Sequence, residues 1–210
     1  MSHSTERRRG LAFRWTALVA SVTGIGLGIA LMVSARLGTA PADVMTTGGA
    51  AKLDIGVGTM GWLTAAVTTV FAVLLRRPPQ WGTIVGAVGV GQAVNWFLEV
   101  LPEPNAMGIR VVMVVAALAV VYTAISVGVA TNLGTGPIEL VMLGLHDRGL
   151  PLQASRWVIE AVLLGAGILL SGQFGVVTVV FVLLTGPVLS RTIPPTARFM
   201  GTSAATLANE

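Results

Sequence analysis

Two acids, Asp43 and Glu139, stand in matching settings. Each closes a seven-residue motif. The first reads Leu37-Gly38-Thr39-Ala40-Pro41-Ala42-Asp43, and Leu133-Gly134-Thr135-Gly136-Pro137-Ile138-Glu139 follows 96 positions later. The residue types suit a broken helix. A glycine accepts positive φ after a helix end, and proline fits the first position of a new helix, where its missing N–H costs nothing. A threonine hydroxyl can bond near the opening amides. An acid in the first turn faces the positive end of the macrodipole. Where such an N-terminus opens on a wet cavity it binds anions or water. Gly38, Thr39, Pro41 and Asp43, with Gly134, Thr135, Pro137 and Glu139, are therefore the proposed substrate-binding residues. The same string also serves as a plain loop-to-helix entry at a membrane surface, with the acids only balancing the dipole. Two copies in matching places bring the functional reading level with that one.

A second constellation lies in a later apolar run. Arg156 and Glu160 are four apart, so they share a helix face and can pair. Arg156 is near the end of its run and can snorkel. Glu160 lies deeper, and an acid inside a membrane is a functional hypothesis by default. The pair is the proposed proton or ion relay; its structural alternative is an internal ion pair. Gln92 and Asn95, three apart, are proposed to line a pore, or else to bridge helices. Gly24-x-x-x-Gly28 and Gly82-x-x-x-Gly86 suit close helix packing.

Other chemistries lack their residues. There is no Cys, and the two histidines, His3 and His146, are far apart. No disulfide framework, thiol chemistry or metal site is expected. No G-x-x-x-x-G-K-[ST] loop or G-x-S-x-G elbow occurs, and the glycine-rich third run has no strand before it. Neither an enzyme nor a bound cofactor is expected.

The elements that must hold these residues are set by composition. Of 210 residues, 54% are hydrophobic and 10% charged; soluble domains carry about 25% charge. This is a polytopic membrane protein, long enough for about six crossings at ~20 apolar residues each. The formal charge of +4 is no nucleic-acid signal, because basic residues cluster where apolar runs end. The lipid bilayer and a small molecule or ion are the expected partners.

Residues 1–14 are polar and basic, and a first span covers 15–35. A basic start before an apolar run also suits a cleaved signal, but the counterpart run at 111–130 lies mid-chain and cannot be one. Further spans fall at 58–75, 81–101, 111–130, 152–171 and 174–190. The segment 41–53, opened by the first motif, is ~18 Å long if helical, too short for ~30 Å of hydrocarbon. The chain thus divides into a basic N-terminus (1–14), a membrane repeat (15–101), a connecting loop (102–110), a second repeat (111–190) and a loose polar tail (191–210).

Three crossings per repeat would place the second half upside down relative to the first. With the N-terminus in the cytoplasm, ten basic residues (Arg7, Arg8, Arg9, Arg14, Arg76, Arg77, Arg148, Arg156, Arg191, Arg198) lie inside and three (Arg36, Lys52, Arg110) outside. The bias favours both termini inside. The expected fold is all-α: six transmembrane helices as two inverted three-helix repeats, each with a short broken or re-entrant segment. The two motifs would meet in a shared wet chamber near the midplane. If the short segments crossed instead, the chain would have eight spans and a parallel repeat.

The paired Leu-Gly-Thr-x-Pro-x-acid motifs, the six-run layout, and Ser171-Gly172-Gln173-Phe174-Gly175 with Thr178 and Gly186-Pro187 carry a resemblance. Over about residues 15–192 the chain resembles the YczE/YyaS/YitT family of bacterial integral membrane proteins. It departs where that family often has an aromatic after the motif proline: here stand Ala42 and Ile138. The resemblance implies a multi-pass protein of the bacterial cytoplasmic membrane. Some members are tied to lipopeptide antibiotic production, which implies export or an accessory role in a biosynthetic complex. Beside this stands the leading expectation from the residues, a secondary transporter or permease of a small molecule or ion.

Overall fold

The computed structural model describes residues 10–202. Arg7, Arg8, Arg9 and His3, and the chain from 203 onward, lie outside the described residues. The described elements are all helices: α1 (Leu11–Ala35), α2 (Pro41–Leu53), α3 (Val57–Leu74), α4 (Trp81–Val100), α5 (Met107–Thr131), α6 (Pro137–His146), α7 (Leu152–Leu169) and α8 (Val176–Met200). Six of them (α1, α3, α4, α5, α7, α8) are long and apolar enough to cross a membrane. The two short ones, α2 with 13 residues and α6 with 10, follow the two motifs. They reach only ~20 and ~15 Å, so they cannot cross.

The outward faces carry large apolar side chains, among them Val70, Phe71, Leu74, Val112, Val162 and Leu183. In water such a continuous apolar belt would be a liability; in a bilayer it is the lipid contact. The protein is a multi-pass membrane protein.

A central pair, α1 and α5, organises the bundle. Small residues let the two backbones approach. A Cβ on Gly24 would meet the Ala124 side chain at 3.0 Å, and one on Gly28 would meet the Ala117 carbonyl at 3.1 Å. Ser21 donates a hydrogen bond to the Ala124 carbonyl at 2.7 Å. Near the start of α1, Arg14 donates to the carbonyls of Thr131 and Asn132, at the end of α5. The pair is therefore antiparallel. Each central helix also carries the last long helix of its own half. On α1, Gly26 packs on Ala93 and Val22 on Gly89, which sets α4 alongside in parallel. On α5, Tyr122 meets Phe181 and Thr185 while Ser126 meets Thr192, which sets α8 alongside in parallel. Met32, Ala35, Val114, Ala117, Val121 and Val177 form the main buried cluster.

The remaining helices are tied by the short ones. The principal partners of α7 are α2 and α6; those of α3 are α4, α6 and α2. Against α7, a Cβ on Gly167 would meet the Met45 nitrogen at 2.5 Å. Gly144 of α6 lies against the Leu75 side chain at the end of α3.

Two expectations change. Residues 192–200 are not loose: α8 continues to Met200, and Ala197 and Met200 are buried against Ala130. Polarity misled because α8 holds Pro187, Pro194 and Pro195 and many hydroxyls. Those hydroxyls bond back to helix carbonyls, as from Thr192 to Val188 and Thr196 to Thr192, and membrane helices tolerate proline where such groups are near. The second glycine pair also divides. Gly82 meets Leu133, whereas a Cβ on Gly86 would touch nothing within 4 Å.

Candidate functional site

Both motifs break the chain as their residues require. Arg36 and Asn132 end their helices in the left-handed region, with φ of 52° and 49°. Two residues on, Gly38 has φ of 111°, a region costly for any residue with a Cβ. Pro41 and Pro137 open α2 and α6 at the first position.

Each motif then docks on the far half of the chain. The first clasps the turn between α7 and α8. The Thr39 N–H donates to the Gln173 carbonyl at 3.1 Å, and the Val177 N–H donates to the Leu37 carbonyl at 3.1 Å. The Gln173 N–H donates to Thr47 Oγ1 of α2 at 3.0 Å. Thr39 is fully buried, and a Cβ on Gly38 would meet the Gly175 nitrogen at 2.8 Å. The second motif clasps the start of α4. Thr83 Oγ1 donates to the Thr135 carbonyl at 2.6 Å, and a Cβ on Gly134 would meet the Thr83 nitrogen at 2.6 Å.

The two motifs do not meet. The first follows the end of α1, and the second follows the end of α5 that Arg14 ties to the start of α1. They lie at opposite ends of the antiparallel pair, roughly 35 Å apart along a 25-residue helix. The expected convergence of Gly38, Thr39, Pro41 and Asp43 on Gly134, Thr135, Pro137 and Glu139 is corrected accordingly. Each motif forms a clasp at its own end, built from backbone and hydroxyl groups.

The acids differ. Asp43 is half-buried, and no hydrogen bond or ion pair reaches its carboxylate among the described residues. Glu139 folds back toward Gly136, where an added Cβ would collide with Oε2.

Arg156 and Glu160 form the anticipated pair on α7, with Nε to Oε1 at 2.9 Å and both side chains partly exposed. The buried stripe of α7 runs through Ser155, Ile159, Leu163 and Gly167, and the pair flanks it. Among the described residues, the buried Ser155 Oγ and Gln173 Oε1 have no hydrogen-bond partner.

Gln92 and Asn95 part company. Asn95 Oδ1 accepts from the Gly58 N–H at 2.8 Å and its Nδ2 donates to Thr59 at 3.1 Å. It caps α3 from α4, a bridging role. Gln92 is exposed, in a cleft of about 360 Å³ between α1 and α4 that also holds Val22, Trp96 and Phe97.

Arginines finish other helix ends. Arg148 donates to the Leu75 and Gly144 carbonyls at 3.0 and 2.9 Å. Arg77 grips Asp147 through two nitrogens, each at 2.6 Å, and this hydrogen bonding holds the Asp147 carboxyl below its usual range. Sequence reasoning missed Thr83 as a clasp residue. A signal was available, since Thr83 precedes Thr178 by 95 positions, close to the motif spacing. No group of three or more potential metal ligands occurs among the described residues.

Comparison with known proteins agrees with the resemblance. The chain is 24% identical over 201 residues to the "Uncharacterized membrane protein YczE" of Bacillus subtilis (strain 168), covering 94% of each chain. It is 24% identical over 183 residues to an "Uncharacterized protein" of Haemophilus influenzae, covering 83% of this chain and 84% of that one. No solved structure matches. Residues 12–194 match the family of unknown function DUF6198, and the chain belongs to that family.

Proposed function

We propose that this protein is a secondary transporter of a small solute or ion in the bacterial cytoplasmic membrane. Its two halves act as inverted repeats, with both termini cytoplasmic. One observation carries the reading: α7, with its Arg156–Glu160 pair, is held mainly by two short helices that are clasped at opposite ends of the bundle. Support for inversion comes from the packing. Exchanging the halves maps the antiparallel α1–α5 pair onto itself, α1–α4 onto α5–α8, and α2–α7 onto α6–α3. In inverted-repeat transporters the site lies between the repeats and access alternates. Here the clasps would be the two gates, and Glu160, the ninth residue of the 18 in α7, would carry the proton or cation near mid-membrane.

The test is solute-dependent proton movement in proteoliposomes loaded with a pH-sensitive dye, with succinate, glutamate and inorganic phosphate as probes. Wild-type protein is expected to move protons with at least one of them, and Glu160→Gln to abolish that component without loss of folded protein. Undiminished coupled movement in Glu160→Gln would refute the relay.

A second reading, a non-transporting partner of a biosynthetic or export complex, draws on the apolar cleft between α1 and α4. A stable co-purifying membrane protein, with no flux of any probe, would favour it.

A further inference from the structure

We propose that the outward face of α4, centred on Gln92, joins two copies of this chain in the bilayer, with their Gln92 amides paired across a twofold axis. The inference is independent of the transporter reading.

It begins with one side chain and its depth. Gly26 of α1 packs on Ala93 of α4, and Val22 packs on Gly89. Gln92 is therefore level with residues 22–26, the middle of the 25-residue α1. For a helix that crosses, that is the centre of the hydrocarbon. Its direction follows from the helical period. Gly89 and Ala93 face α1, Gly91 and Asn95 face α3, and Thr83 and Val94 are buried in the bundle. Gln92 takes the remaining side with Val85, Val88 and Trp96, all exposed. An amide thus points out of the bundle at mid-membrane depth.

The chain itself does not satisfy that amide. No hydrogen bond reaches the Gln92 side chain among the described residues. The other described Asn and Gln side chains are placed differently. Asn95 makes two hydrogen bonds. Gln80, Asn132 and Gln153 lie at helix ends, and Asn105 and Gln173 lie between helices. Exposed threonines within the spans, such as Thr23 and Thr123, donate back to carbonyls of their own helices. Gln92 instead presents a donor and an acceptor to hydrocarbon, where no water can pair with them.

The partner is chosen by depth and by chemistry. A phospholipid keeps its polar groups at the membrane surface and does not reach this amide. A second copy does. Chains inserted the same way round hold their Gln92 residues at one depth. An amide offers both donor and acceptor, so two of them bond reciprocally about a twofold axis along the membrane normal. Interhelical amide bonds of this kind favour association of membrane helices. The shape of the face agrees. Trp96 protrudes, and beside it runs the apolar cleft of about 360 Å³ between α1 and α4. A self-complementary contact needs a protrusion and a recess on one surface. Folding of one copy does not use the amide, so changing it acts on association.

Two measurements test the proposal. Because the chain has no cysteine, single cysteines report contacts between copies. Val88→Cys in native membranes is expected to form a disulfide-linked dimer under mild oxidant. Val112→Cys and Leu183→Cys, exposed on α5 and α8, are expected to form none. Energy transfer between donor- and acceptor-labelled Asn105→Cys protein, in liposomes over a range of protein-to-lipid ratios, gives the dissociation constant. Gln92→Leu is expected to raise it about tenfold. Gln92→Asn keeps an amide and is expected to recover part of that loss. Three results would overturn the proposal: a monomer at every ratio, cross-linking of Val88→Cys no better than that of the two controls, or an unchanged dissociation constant in Gln92→Leu. Cross-linking of Val88→Cys to a different protein alone would overturn it as well.

Discussion

Gly38 and Gly175 lie backbone to backbone, 137 residues apart in the chain, so close that a Cβ on Gly38 would stand 2.9 Å from the Gly175 Cα. This contact closes the first clasp. Gly38→Ala adds the strain of a φ of 111° to that collision. The expected loss is about 2–3 kcal/mol. Gly86→Ala, where a Cβ meets nothing within 4 Å, is the control and should be neutral or stabilising by about 0.5 kcal/mol. Reversible unfolding of both variants in mixed detergent measures the contrast.

The separation of the motifs is checked by cross-linking. Because the chain has no cysteine, pairs can be introduced without clearing a background. Thr39→Cys with Gln173→Cys, and Thr83→Cys with Thr135→Cys, are each expected to form a disulfide under mild oxidant, since the native residues are hydrogen-bonded neighbours. Thr39→Cys with Thr135→Cys is expected to form none within one molecule. A gel-shift or mass-spectrometric readout decides, and an intramolecular bridge in the last pair would contradict the fold described above.

Asn95→Ala should uncap α3 from across the bundle. It removes the acceptor for the Gly58 N–H and the donor to Thr59. A cost of about 1–2 kcal/mol is expected, that of losing a side-chain helix cap. Gln92→Ala, at an exposed position on the same helix, should cost little. Equal losses in both would remove the capping assignment.

The Arg77–Asp147 pair predicts a pH effect of known sign. Asp147 has its carboxyl lowered by the hydrogen bonding from Arg77. A lowered folded-state value gives stability that is present above the unfolded value of 3.8 and lost as pH falls through the folded one. Both groups are well exposed, so the effect is small and salt-sensitive. The melting temperature of wild type should approach that of Asp147→Asn as pH drops from about 7 to about 3. A difference that stays constant with pH, or grows on acidification, would contradict it.

The sequence by itself determined the class, the crossings and the local breaks. Six long apolar runs, a Gly-x-x-Pro break after the first and fourth, and a charged pair on one face of α7 all follow from composition and helical period. Arg156 and Glu160 pair as their spacing requires, because four residues are about one turn. What only the tertiary structure decided is where each break goes. Thr39 meets Gln173, Thr83 meets Thr135, Asn95 caps a different helix, and the two motifs part to opposite ends. Residues 192–200 likewise pack as helix, with Ala197 and Met200 against Ala130. These outcomes depend on packing between segments distant in the chain. A one-dimensional pattern records which face of a helix is apolar, but not which helix will lie against it.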